Sequence, residues 1–182
     1  MLEGKLVGLK PLEQADGWLL HNWFNDQRVL ENLGGDMYFA VSHEEESAFV
    51  HHMVTDENAV WFIVMELKRK EPIGVIGLAA MDQRSASAEL RIVIGEPKFW
   101  DKGYGGDAID LTLREAFVAR HLHRVWLRVV TYNERAIACY EKCGFTPEGT
   151  ARHDHFQHGE WRDAHHMSIL AEEYGGRKRA RG

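Results

Sequence analysis

The sequence contains no apolar run near the roughly 18 residues that a membrane-spanning helix needs. Its first residues, Met1-Leu2-Glu3-Gly4-Lys5, lack the basic-then-apolar order of a secretory signal. Cysteine is scarce: Cys139 and Cys143 stand one helical turn apart, a poor geometry for bridging each other, so two buried thiols are expected rather than a disulfide framework. Positive charge is short as well. There are 22 Lys and Arg against 28 Asp and Glu, and four of the 22 sit in the last eight residues, leaving 18 against 28 in the body. An acidic body disfavours nucleic acid. Internal repeats and low-complexity segments are missing too. The expectation is a soluble, cytoplasmic protein with neither nucleic-acid nor membrane partners, and a basic, disordered tail over 175–182 after the Gly175-Gly176 hinge.

What is present suits one core. The chain has 182 residues, 45% of them hydrophobic, including six Trp and eight Phe. Lys5 to Leu9 reads as a strand closed by Pro11, and Asp16 can cap a helix to about Asn25. Gly34-Gly35 reads as a flexible connection. Ser42 with Glu45 matches a capping box, starting a helix expected to bury Phe49, Val50 and Met53. Val60 to Leu67 and Ile73 to Ala79 read as a hairpin, followed by a strand from Ala86 to Ile94. A helix should run from the Gly103 turn to about Ala119, then a strand Val125 to Val130 and a short helix capped by Asn133 and stopped by Gly144. Phe145 to Leu170 reads as paired strands turning at His158-Gly159. Antiparallel strands followed by strand-helix-strand-helix-strand give an α+β fold. One domain over 1–174 is expected.

Between the strand ending at Ile94 and the next helix lies Glu96-Pro97-Lys98-Phe99-Trp100-Asp101-Lys102-Gly103-Tyr104-Gly105-Gly106. A glycine-rich turn that opens a helix offers unpaired backbone N–H groups and the positive end of the helix dipole to an anion. Lys98 and Lys102 could add charge, and Tyr104 could simply pack. A P-loop would require Gly-x-x-x-x-Gly-Lys-Ser/Thr, which is absent. Gly103-x-Gly105-x-x-Ala108 fits the dinucleotide fingerprint only superficially, because its loop is long and the next strand ends in Val129-Val130-Thr131 rather than in an acid.

A second segment decides among these readings. Asn133-Glu-Arg-Ala136-Ile-Ala-Cys-Tyr140-Glu-Lys-Cys-Gly144-Phe145 resembles the Asn-x-x-Ala-x-x-x-Tyr-x-x-x-Gly-Phe signature of the GNAT superfamily of N-acetyltransferases. The glycine turn resembles that superfamily's acyl-CoA pyrophosphate loop. The likeness runs from about Ile73 to Phe145. It looks closest to the ribosomal-protein N-terminal and spermidine/spermine branches, whose Phe-x-x-Gly-x-x-x-Asp ending has a shortened counterpart in Phe156 to Asp163. One departure stands out: Trp100 occupies a position where the superfamily usually has Gln or Arg. The resemblance implies a mixed, mostly antiparallel twisted sheet of about seven strands flanked by helices, acetyl-CoA as co-substrate, no metal, an amine acceptor, and room for a homodimer.

By the same resemblance, the strand of Ile92, Val93 and Ile94 should splay from its neighbour and pair with the pantetheine arm, with an N–H near Val93 or Ile94 on the thioester carbonyl. Trp100, Lys102, Gly103, Tyr104, Gly105 and Gly106 would surround the phosphates, with Asn133 and Ala136 on the arm. Tyr140 is the candidate acid for the departing thiolate. Glu89, sharing a strand face with Arg91 and Val93, is the candidate base, a water chain being the alternative. His153, His155, His158, His165 and His166 raise a metal hypothesis, but no Cys or paired carboxylate completes a shell, and a sheet edge or amine cleft suits them better. The segment Asp16 to Met53, with Trp18, Trp23, Phe24, Glu31, Asp36 and Glu44 to Glu46, should wall the acceptor. The rival reading is a non-catalytic acyl-CoA sensor, against which Tyr140 argues.

Overall fold

The structure, a computed structural model, describes residues 1–33 and 42–181. The Gly34-Gly35 connection and Asp36 lie outside the described residues. Eight strands form one sheet: β1 (Leu2–Glu3), β2 (Val7–Pro11), β3 (Val60–Glu66), β4 (Glu71–Asp82), β5 (Ser87–Ile94), β6 (Arg124–Val130), β7 (Thr146–Gln157) and β8 (Glu160–Leu170), in the order β1-β2-β3-β4-β5-β6-β8-β7. Every pairing is antiparallel except β5 with β6. The strand beyond the expected seven is β1, a two-residue piece paired through Leu2↔Leu9 and Glu3↔Gly8, too short to show alternation in sequence.

The helices are α1 (Gly17–Phe24), α2 (Gln27–Leu30), α3 (His43–Thr55), α4 (Tyr104–Arg114), α5 (Glu134–Lys142) and α6 (Ala171–Arg181). The Ser42–Glu45 capping box forms with both of its bonds. Phe49, expected inside α3's buried face, is instead partly exposed and meets Phe24 edge-on, while Val50 and Met53 are buried. The backbone of α6 continues from Ala171 to Arg181. Glu172 and Glu173 in its first turn complement the helix dipole.

Alternation along β5 divides the core. Ala88 and Leu90 face α4 with Val125, Leu127, Ile109 and Leu113; Val93 faces the other way, into the cluster of Leu20, Trp23, Val29, Val50 and Ile63 under α1 to α3. Each large side chain fully buried here contributes roughly 1.5–3 kcal/mol. The second layer is pinned beside the end of β5 by a close approach: a Cβ on Gly95 would lie 2.0 Å from the Trp23 ring, so only glycine lets α1 sit there.

Candidate active site

β5 and β6 pair only through Ser87↔Arg124, Ala88↔Val125 and Glu89↔Trp126, and then diverge. The gap opens into a cavity of about 600 Å³ bounded by Glu89 to Ile94, Arg128 to Val130, the Gly103 turn and the inner face of α5. Which backbone groups face it follows from the ladder. Gly95 N–H donates to the Ile73 carbonyl at 2.9 Å, opposite partners in the register that pairs Gly74 with Ile94. Hydrogen-bonded and non-bonded pairs alternate in an antiparallel ladder. Val93 therefore bonds Val75, whereas Ile92 and Ile94 turn their N–H and C=O toward the gap. The Val93 N–H proposed from sequence is spent; the strand-pairing groups belong to Ile92 and Ile94. Trp100 Nε1 donates to the Ile94 carbonyl at 2.7 Å, closing the end of that edge.

Gly103 caps α4 at φ +86°, in the left-handed region. Its carbonyl accepts from Asp107 N–H at 3.0 Å. The N–H groups of Tyr104, Gly105 and Gly106 precede that first bond and have no acceptor within the helix. They suit an anion, and a Cβ on Gly105 or Gly106 would meet only sulfur or carbon at 3.8–3.9 Å, so packing alone does not require glycine there. The Asp107 carboxylate is turned away, accepting from the backbone of Lys5, Leu6 and Val7. The Tyr104 ring packs edge-on against Phe99 while its hydroxyl reaches Glu66. The Lys102 ammonium donates to the Lys98 carbonyl at 2.7 Å, and Lys102 does not line this cavity.

Asn133 Oδ1 accepts from Ala136 N–H at 3.1 Å, the expected cap, and its Nδ2 donates to the Asn32 carbonyl at 3.2 Å, tying α5 to the end of α2. Tyr140 lines the cavity, half-buried, with its ring edge-on to Phe145. Burial pushes its phenol well above the ordinary value, with neighbouring Cys139 and Cys143 adding to the shift. The phenol is thus a proton carrier at neutral pH. Beside it, Cys139 is only partly buried, and its thiol is lowered, chiefly by a hydrogen bond with Cys143.

The other end of the cavity is made of charged side chains. Glu89 Oε2 accepts from Arg91 Nε at 2.9 Å and Nη2 at 2.7 Å. Arg128, level with Arg91 across the gap, donates to Asp154 Oδ1 at 3.3 Å. Asp154 arrives there through a bulge. Ala151 pairs with Ala164 and His155 with Arg162, so β7 inserts two extra residues. His153 takes φ +52° within the insertion, and its N–H donates to Asp163 Oδ1 at 2.7 Å. The bulge also separates the histidines that strict alternation would align: His153 stacks on Trp161, while His155 is buried with neither ring nitrogen hydrogen-bonded. Among the described residues no group of His, Cys, Asp and Glu is arranged to hold a metal.

Among the described residues of the Asp16–Met53 segment, Val29, Asn32 and Leu33 reach the cavity; Trp18 and Glu44 to Glu46 do not line it. Sequence reading missed Arg128, Arg135 and Asp154. Arg128 had a signal, a charge inside the apolar run Val125 to Val130. Asp154 had none, because its aim depends on the bulge.

Comparison with known proteins agrees with this geometry. The acetyltransferase (GNAT) domain family matches residues 7–146. The spermidine N(1)-acetyltransferase of Vibrio cholerae is 30% identical over 166 residues, covering 91% of this chain and 94% of that protein. The Escherichia coli K12 enzyme of the same name is 30% identical over 168 residues, covering 92% and 88%. The crystal structure of the Vibrio cholerae enzyme in complex with CoA and spermine superposes with a TM-score of 0.84 at 28% identity, covering 93% of this chain and 98% of that one. A splayed strand pair, an anion-binding turn and a tyrosine on the following helix thus stand in a matching fold, and the chain belongs to the GNAT family as an acetyl-CoA-dependent N-acetyltransferase of amines.

Proposed function

We propose that the acceptor is a polyamine of the spermidine class and that the reaction is direct transfer within a ternary complex. The observation that carries this is the charged end of the cavity. Glu89 and Asp154 each have one oxygen held by an arginine; Glu89 Oε1 accepts no hydrogen bond from the described residues, and Asp154 Oδ2 faces His155 Nδ1 at 3.6 Å. Two restrained carboxylates suit an acceptor with more than one ammonium group. The relatives named above acetylate spermidine, which supports the same choice.

Glu89 takes the proton from the reacting ammonium, and the freed amine nitrogen bonds to the acetyl carbon. As the carbon–sulfur bond breaks, Tyr140 donates its proton to the leaving sulfur. Ile92 and Ile94 hold the arm as a neighbouring strand would, and a β5 N–H turned toward the gap donates to the carbonyl oxygen. Gly103 to Gly106 hold the phosphates. Cytoplasmic action, where acetyl-CoA is made, fits this chemistry.

The test is release of free CoA thiol from acetyl-CoA with spermidine, spermine, monoamines, amino acids and N-terminal peptides in parallel. The expected outcome is turnover with polyamines at a kcat/KM at least about tenfold above monoamines, a difference of ~1.4 kcal/mol. Preference for peptides or amino acids would overturn the acceptor assignment while leaving the acetyl donor in place.

A further inference from the structure

We propose that Arg135 is the cation that binds the pyrophosphate of acetyl-CoA, held in position by the indole of Trp100. The turn at Gly103 to Gly106 offers three backbone N–H groups and a helix dipole, which carry only partial charge. A pyrophosphate calls for a full positive charge beside them. The two lysines next to the turn in sequence do not provide it. Lys102 donates to the Lys98 carbonyl, and Lys98 reaches out to Glu71 at 3.4 Å and Glu96 at 4.0 Å; neither borders the cavity.

Arg135 does border it, from the first turn of α5. Its guanidinium carbon lies 4.1 Å from the centroid of the Trp100 ring, a cation–π stack that fixes the plane of the group. Trp100 is itself fixed, because its Nε1 is bonded to the Ile94 carbonyl at 2.7 Å. The result is a continuous run from the end of β5, through the indole, to a guanidinium beside the turn. Among the described residues the carboxylate paired with Arg135 is Asp101, 3.9 Å from Nε and largely exposed, a weak restraint that leaves the terminal nitrogens for a phosphate. Lys142 also borders the cavity, seven residues and so about 10 Å further along α5. A planar fork preset by stacking matches phosphate oxygens bidentately, which an ammonium cannot do.

The experiment is calorimetric binding of CoA and of pantetheine, which lacks the phosphates, to the wild type, Arg135→Ala, Arg135→Lys, Trp100→Ala and the double variant Trp100→Ala/Arg135→Ala. Thermal melting serves as the fold control. Arg135→Ala should raise the CoA dissociation constant ten- to a hundredfold and leave pantetheine within twofold, and it should flatten the salt dependence of CoA binding. Arg135→Lys should recover only part of the loss, since it keeps the charge and gives up the fork. Because Trp100 acts through Arg135, the double variant should be no weaker toward CoA than Arg135→Ala. Wild-type affinity in Arg135→Ala, or equal loss toward CoA and pantetheine, would overturn the proposal. Acceptor identity does not enter these measurements, so they stand apart from the polyamine assignment.

Discussion

The two ends of the cavity are built from different material. At the donor end the recognising groups are mainly backbone: the first-turn N–H groups of α4 and the edge of β5 at Ile92 and Ile94. At the proposed acceptor end they are side chains drawn from three strands and the turn after α2, with Glu89 on β5, Arg128 on β6, Asp154 on β7, and Asn32 beyond α2. A backbone site is written in a local stretch of glycine, cap and strand. A side-chain site exists only after distant segments meet, so it can be re-aimed by a bulge without any local sign. This is why the acetyl donor could be read early and the acceptor could not.

The largest expected effect falls where the two ends meet. Tyr140→Phe should lower kcat by ~10²–10⁴-fold, the usual range for losing a general acid, with CoA affinity within about twofold of wild type. Burial raises the Tyr140 phenol above its ordinary value of 10, so the proton it must donate stays bound throughout the neutral range. The kcat profile should therefore show no loss from deprotonation of the acid below about pH 10. A descending limb near pH 8 would remove Tyr140 from that role.

Next in size are the acceptor carboxylates, where the comparison can be broken directly. Glu89→Gln should lower kcat and raise the spermidine KM, because it removes both a base and a charge. Asp154→Asn should raise the spermidine KM about tenfold with little change for a monoamine, since only the longer acceptor reaches it. Neither should move the CoA dissociation constant. If Asp154→Asn weakened CoA as much as spermidine, the two ends would not be separable and the bulge would serve the cavity's shape alone.

A smaller effect probes the donor end. Cys139 borders the cavity beneath Gly105 and Gly106, and its thiol is lowered by the hydrogen bond with Cys143. It should be the faster of the two cysteines to be alkylated by iodoacetamide. Saturating CoA should slow that reaction about tenfold, whereas spermidine alone should not, as followed by mass spectrometry of the labelled peptides. Protection by spermidine would place the acceptor at the wrong end.

Most of the fold was legible. Strand positions, the Ser42–Glu45 box, the Asn133 cap and the stop at Gly144 all came from local chemistry, and the mixed character of the sheet followed from element order. At the site, the turn and the place of Tyr140 on the cavity wall were legible because each is carried by a short motif, and the splay was implied by the resemblance. Three matters were not. The choice of Ile92 and Ile94 over Val93 depends on ladder phase, which only the partner strand sets. The aim of Lys102 depends on where the turn places its side chain. The cation at Arg135 depends on α5 folding back over Trp100, 35 residues earlier in the chain.

The smallest effect concerns the strands that carry the acceptor end. Glu148 on β7 forms two 2.6 Å bonds with Arg124 on β6 and accepts from Ser168 on β8 at 2.8 Å, bracing all three strands. Arg124 holds its carboxyl down at about 2, against an ordinary 4.5. A carboxylate with a lowered folded-state value adds stability above its unfolded value, and that contribution fades as pH falls through the interval between the two. Glu148 should therefore stabilise the protein fully above about pH 5 and progressively less down to pH 2. The side chain is two-fifths exposed, so solvent screening limits the contribution to about 0.5–1 kcal/mol. Glu148→Gln should lose that amount at pH 7 and nearly converge with wild type only near pH 2, measured by urea unfolding at each pH. Equal differences at both pH values would mean that the bracing comes from shape and neutral hydrogen bonds rather than from charge. The acceptor end would then rest on packing as fully as the donor end rests on backbone.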